Sequence, residues 1–215
     1  MFDTVLFDLD GTIIDTNELI IQSFLHTLEG VTPEPISREY ISANMGNTLP
    51  EQLRQFSGLT DVEHLLQTYR TFNRDKHDEL VREFPYVREV LGNLHGSGIP
   101  MGIVTSKVRL TTEMGLRLCG LTEYISAIVT IDDVEHAKPH PEPVLKALAL
   151  LGADPKRTLM VGDSPYDILS GQAAGVRTAA VAWSLRGESF LQEYGADYVL
   201  KDMRDLLSIV EAGKR

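Results

Sequence analysis

Thr4-Val5-Leu6-Phe7-Asp8-Leu9-Asp10-Gly11-Thr12 decides how the rest of the chain is read. A short β-rich apolar run is stopped by acid, leucine, acid and glycine, the pattern of a buried strand ending in a polar turn. The next stretch, Asp15-Thr16-Asn17-Glu18, offers an N-cap with an acid three residues on. Leu19, Ile20, Phe24 and Leu28 continue at helical spacing as far as Gly30, so a helix follows the strand directly. Pro33, Pro35 and Ser37 open a second short helix that Gly46 breaks. Thr60-Asp61-Val62-Glu63 has capping-box spacing ahead of a long helix that runs to about Val81. Residues 15–80 therefore read as helical throughout.

From Pro85 the texture changes to alternation. Strands are expected at 101–105, 127–130, 158–161, 178–182 and 198–200, with helices near 86–95, 109–118, 142–151 and 166–174, several stopped by Gly120, Gly152 and Gly175. Strand–helix alternation of this kind implies parallel strands joined by right-handed helical crossovers. The expected fold is α/β, a doubly wound, Rossmann-like parallel sheet with an α-helical insert after its first strand. Residues 1–14 and 82–215 would form the core and residues 15–81 the insert. No repeat, low-complexity tract or long linker interrupts the chain.

Composition narrows the function. The chain has 215 residues, 31 acidic against 20 basic, for a formal net charge of −11. With a pI near 5.0 there is no basic footprint for nucleic acid or an anionic membrane. No apolar run approaches the ~20 residues of a membrane span. Asp3 stands where a secretory leader would carry a basic residue, so a cytoplasmic protein is expected. The single cysteine, Cys119, follows Leu116 and Leu118 in a helical pattern and reads as a buried, inert thiol.

Ligands of an open parallel sheet bind beyond the carboxyl ends of its strands. The first strand delivers Asp8 and Asp10 there, the second Thr105 and Ser106, and the fourth Gly162-Asp163-Ser164-Pro165-Tyr166-Asp167, while Lys138 lies in the loop after the third. Four carboxylates, a hydroxyl and one ammonium would then meet in a small volume. Two acids side by side raise one another's pKa unless a cation neutralises them. Mg²⁺ suits such an all-oxygen set, and it would keep one carboxylate ionised as ligand and nucleophile while the other carries a proton as general acid and then base. An aspartate attacking phosphorus forms an acyl phosphate that water hydrolyses. Lys138 and Thr105 would steady the phosphoryl oxygens. Each residue has a plainer reading. Asp-x-Asp-Gly is a common turn, Thr105 a strand-end hydroxyl, Lys138 a solvated charge, and Ser164-Pro165-x-Asp167 a helix cap in which Asp167 serves the helix dipole. Asp163, at the end of a buried apolar strand, has no such explanation.

Taken together these residues resemble the haloacid dehalogenase-like phosphohydrolases. The likeness rests on Phe7-Asp8-Leu9-Asp10-Gly11-Thr12, Thr105, Lys138-Pro139 and the segment from Gly162 to Asp167, in order along the chain. It implies Asp8 as nucleophile, Asp10 as general acid and base, and phosphoryl binding by Thr105 and Lys138. It implies Mg²⁺ held by Asp8, the backbone carbonyl of Asp10 and Asp163, with Asp167 in support, and a helical cap formed by the insert. Segments 15–20, 69–74, 77–81, 130–136 and 181–187 are similar to the bacterial pyrophosphatases of this family, which implies pyrophosphate as substrate. The expected partner is thus a small phosphorylated molecule, and the expected assembly a monomer or weak homodimer.

Within the insert, Arg70, Arg74 and His77 recur at i, i+4 and i+7 and would share a helix face able to hold a second phosphate; a solvated basic stripe beside Asp75 and Asp78 is the competing reading. Asn47 and Thr48, after Gly46, would form a loop that reaches the same place. A phosphoglycolate or sugar-phosphate phosphatase and a phosphosugar mutase remain open as activities. A receiver-type phosphorylation switch uses a similar set of acids, Thr, Lys and Mg²⁺, but has no need of so long an insert. A dinucleotide-binding oxidoreductase is disfavoured because Gly96-Ser97-Gly98 precedes a strand instead of following one.

Overall fold

A computed structural model describes residues 2–211. In chain order its strands are β1 (Thr4–Phe7), β2 (Ile14–Asp15), β3 (Arg82–Glu83), β4 (Met101–Val104), β5 (Ala127–Val129), β6 (Thr158–Gly162), β7 (Arg177–Val181) and β8 (Tyr198–Leu200). The helices are α1 (Asn17–Leu28), α2 (Arg38–Asn44), α3 (Leu49–Ser57), α4 (Glu63–Leu80), α5 (Val87–Gly96), α6 (Arg109–Leu118), α7 (Glu142–Leu151), α8 (Pro165–Ala173), α9 (Glu188–Glu193) and α10 (Asp205–Glu211).

All four residues of β1 are buried, and such a strand needs partners on both edges and cover on both faces. It pairs in parallel with β4 on one side and β6 on the other. The full sheet runs β5-β4-β1-β6-β7-β8. Strand order therefore reverses at β1, which opens a crevice beyond its carboxyl end. The two-residue period of the strands sorts the core into two layers. Val5, Phe7, Met101, Ile103, Leu159 and Val161 face one way, onto Val90, Leu91 and Leu94 of α5 and Leu206 of α10. Leu6, Val104, Val129 and Met160 face the other way, onto Val144, Ala147 and Leu148 of α7.

Between β2 and β3 the chain forms α1 to α4, which surround an apolar cluster of their own built on Phe24, Ile41, Leu53, Phe56, Leu65 and Tyr69. The segments that leave and re-enter the sheet pair as an antiparallel ribbon, Ile14 opposite Glu83 and Asp15 opposite Arg82.

Helices α6 and α7 span the residues expected from periodicity, and the six sheet strands lie within a residue or two of expectation. The two-residue ribbon strands and the short α9 and α10 carry too little periodicity to announce themselves. One expectation is corrected. The capping box at Thr60 and Glu63 does not form, because Asp61 accepts the Glu63 N–H at 3.1 Å and Val62 precedes the first helical turn. Cys119 is buried, and burial pushes its thiol up to about 11. Among the described residues no helix is long and apolar enough to cross a membrane.

The aromatic centre of the helical cluster is testable. Phe24 is 1% exposed and meets Phe56 edge-on at 5.0 Å and Tyr69 at 4.8 Å between ring centroids. Phe24→Ala should lower unfolding stability by about 3–5 kcal/mol, read from urea titration followed by far-ultraviolet circular dichroism.

Candidate active site

The crevice at the end of β1 opens into a cavity of about 750 Å³ between the sheet and the helices of the insert. Its floor is built by strand ends. β1 delivers Asp8, which is buried, and the turn after it carries Asp10, which is partly exposed. Gly11 lies at φ +78°, and a Cβ there would stand 2.5 Å from Asp163 Oδ2, so this turn requires glycine both for its backbone and for its close approach to Asp163. β6 ends at Gly162, where a Cβ would collide with the Asp167 side chain.

Lys138 reaches into this floor from the loop between β5 and α7. Its Nζ donates to Asp8 Oδ1 at 2.6 Å, to Asp167 Oδ1 at 2.5 Å and to the Val104 carbonyl at 3.0 Å. Burial opposes its charge, but Asp167 and Asp8 outweigh that and hold the ammonium above its ordinary range. Burial pushes Asp8 up to about 7, against the pull of Lys138 and with a push from Asp167. Asp163 is raised well above the usual carboxylate range, first by burial and then by Asp167 and Asp8. One ammonium is too little charge for two buried carboxylates and the half-buried Asp163 beside them. Oxygens of Asp8, Asp163 and Asp167 come within 4.8 Å of one another, a hard-donor set with surplus negative charge that fits a small divalent cation.

Asp167 forms the helix cap expected of it and also joins the charge cluster through Lys138. Its Oδ2 accepts from the Ser164 backbone N–H at 3.0 Å and from the Ser164 hydroxyl at 2.6 Å, closing the capping box of α8. Its other oxygen binds Lys138. Helix start and charge cluster thus share one side chain.

Thr105 and Ser106 line the cavity beside Asp8. Thr105 Oγ1 accepts the Lys107 N–H at 3.2 Å, and the buried Ser106 hydroxyl has no hydrogen-bond partner among the described residues. Asn47, Arg70 and Arg74 reach the cavity from the insert. His77 does not, which corrects the expected basic face. Arg70 and Arg74 are exposed, whereas His77 is 1% exposed and falls in register with Tyr69 and Asn73 on the buried side of α4, near Gly115 of α6. The i+7 position had drifted round the helix to the i, i+4, i+8 stripe that packs inward.

Three contacts escaped the sequence reading. Lys107 Nζ bonds both oxygens of Asp10, at 2.9 and 3.1 Å, and the Thr16 hydroxyl donates to Asp10 Oδ1 at 2.8 Å. Arg186 donates to the Met45 carbonyl, joining the segment after β7 to the insert, and it also lines the cavity. Lys107 stands two residues beyond Thr105, on the loop already singled out, and that proximity was the available signal. Thr16 stands only six residues beyond Asp10, so its signal was local, whereas the partner of Arg186 lies 141 residues away across the fold.

Comparison with known proteins follows the same lines. A family model described as haloacid dehalogenase-like hydrolase matches residues 5–181. The chain is 52% identical over 208 residues to a Bacillus cereus protein named pyrophosphatase PpaX, covering 97% of this chain and 96% of that one. Two solved structures share the fold. One is a haloacid dehalogenase-like family hydrolase from Streptococcus pneumoniae, with TM-score 0.85, 23% identity and coverage of 97% and 98% of the two chains. The other is a predicted phosphoglycolate phosphatase from Haemophilus somnus, with TM-score 0.82, 23% identity and 97% coverage of each chain.

The crowding at Gly11 yields a prediction. Gly11→Ala should displace Asp163 and the turn that holds Asp10 while leaving the sheet intact. Divalent-cation affinity measured by calorimetry should fall about tenfold or more, with an unchanged far-ultraviolet spectrum.

Proposed function

The chain belongs to the haloacid dehalogenase-like hydrolase family, and we propose that it is a Mg²⁺-dependent phosphatase that hydrolyses inorganic pyrophosphate through a phosphoaspartate on Asp8. The observation that carries the choice of substrate is the 52% identity to a protein named pyrophosphatase, which extends over 97% of the chain and so includes the insert as well as the sheet. On this reading residues 1–14 and 82–215 are the catalytic core and residues 15–81 the cap, divided at the β2–β3 ribbon.

Asp8, Asp163 and the backbone carbonyl of Asp10 would hold Mg²⁺, with Asp167 in support. The bound ion supplies positive charge that keeps Asp8 ionised and offsets the charge of the phosphoryl oxygens. Lys138 fixes Asp8 through Oδ1, which leaves Oδ2 to attack phosphorus. As that bond forms, the bond from phosphorus to the bridging oxygen breaks, and Asp10 passes a proton to the departing phosphate. Asp10, now a carboxylate, takes a proton from a water that attacks the phosphoaspartate and returns Asp8 to its starting state. Lys107 and Thr16 aim the Asp10 carboxyl group. Thr105, Ser106 and Lys138 bind the transferred phosphoryl group. Arg70 and Arg74, on the cap side of the cavity, receive the leaving phosphate, with Asn47 beside them.

A second reading rests on cavity size. About 750 Å³, with Ile20, Leu49, Leu110 and Leu185 in its lining, is more room and more apolar surface than pyrophosphate needs. A carbon-phosphate ester such as phosphoglycolate or a sugar phosphate would use it.

Initial rates with Mg²⁺ decide between them. kcat/KM for pyrophosphate should exceed that for phosphoglycolate and hexose phosphates, and an ester preferred by about tenfold or more overturns the pyrophosphatase reading. Chelation by EDTA should stop turnover and Mg²⁺ restore it. Asp8→Asn should reduce turnover to background. Lys107→Met should lower kcat roughly 100-fold with a smaller change in KM, since it acts on Asp10 rather than on substrate affinity.

A further inference from the structure

We propose that His136, His140 and Glu142 form a second metal site, selective for Zn²⁺ or a similar transition ion, that clamps the loop carrying Lys138. The three residues flank Lys138 and Pro139 on the outer face of the loop, and their donor atoms lie within 4.8 Å of one another. His136 Nδ1 stands 2.9 Å from Glu142 Oε2, and His140 Nδ1 stands 3.9 Å from the same oxygen. A tetrahedral ion with metal–nitrogen distances of about 2.0–2.1 Å needs its ligand atoms about 3.4 Å apart, a value these two separations bracket. The two imidazole rings face each other at 4.6 Å between centroids.

An ion taking His140 Nδ1 would displace the Glu142 N–H that this nitrogen accepts at 3.2 Å, whereas His140 Nε2 offers a second donor on the same ring. Glu142 is fixed by the backbone N–H groups of Glu135 at 2.9 Å and His136 at 3.0 Å, so the carboxylate is already oriented before any ion arrives. Both histidines are solvent-exposed, which gives an ion a way in and leaves a position for water.

Ligand chemistry separates this cluster from the acidic one on the other side of the loop. Asp8, Asp163 and Asp167 offer oxygen alone, suited to a hard ion, whereas two imidazoles and a carboxylate suit Zn²⁺. A bound ion would tie residue 136 to residues 140 and 142, the two ends of the segment from which Lys138 projects to Asp8 and Asp167. Metal outside the cavity would thereby stiffen the support of the ammonium inside it.

The test is a Zn²⁺ titration of the intact protein in saturating Mg²⁺, followed by calorimetry and by hydrogen exchange of the peptide spanning 134–142. Wild type and a His95→Ala control should bind one Zn²⁺ more than His136→Ala/His140→Ala, and Zn²⁺ should slow exchange of that peptide in the first two proteins only. Equal stoichiometry in all three proteins, or slowing that persists in the double variant, overturns the proposal. Neither readout depends on pyrophosphate being the substrate, so failure here is distinguishable from failure of the assigned activity.

Discussion

Everything at the carboxyl end of the sheet is arranged around one ammonium group bonded to two buried carboxylates, Asp8 and Asp167, with Asp163 beside them. Removing charge from water costs several kcal/mol per ion even after relaxation, and the cost is recovered only where geometry and partners are good. Lys138 meets that requirement with three bonds at once. The rest of the architecture makes such bonds reachable. β1 lies at the centre of the sheet, β6 beside it brings Asp163 and Asp167, and the β5–α7 loop returns Lys138 over the gap. The remaining negative surplus suits the site to a divalent cation. Stability and negative charge therefore place opposite demands on the same side chains, which a bound cation would reconcile.

The net charge of −11 bears on this less than it first suggests. Long-range repulsion of an anion is screened within about 8 Å at physiological salt. At closer range the cavity shows Lys138 at its base, Lys107 beside Asp10, and Arg70, Arg74 and Arg186 around its upper wall. Cations on both sides of a cavity suit a ligand that is anionic at both ends, and the surplus of acid resides elsewhere on the surface or in the cluster of Asp8, Asp163 and Asp167.

Much of this was legible before any coordinates. β1 could be read from four residues because a buried parallel strand is a continuous apolar run ended by a turn, and α6 and α7 from their periods and terminal glycines. The floor of the site was legible because strand ends are the places where an α/β sheet exposes polar groups, so Asp8, Thr105, Lys138 and Asp163 could be gathered from topology alone. The wall contributed by α4 was harder. An error of a single residue in helical phase decides whether His77 joins Arg74 or Asn73, and burial against α6 settles it. Lys107 and Arg186 depend on where separate loops meet in space, which is tertiary information that no local spacing encodes.

The β2–β3 ribbon has one more consequence. By pinning Asp15 against Arg82 it brings together the two ends of a long excursion, so the loop-closure entropy of the insert is met at a fixed point, and that cost grows only with the logarithm of insert length. Beyond the ribbon the insert meets the core at a few further points, with Leu19 and Val81 in the sheet's apolar layer, His77 against Gly115 and the Met45 carbonyl on Arg186. Helices of another length could be spliced in at the same junction, with those contacts kept, without disturbing the strand register below, so the wall of the cavity can change while its floor of strand ends is inherited.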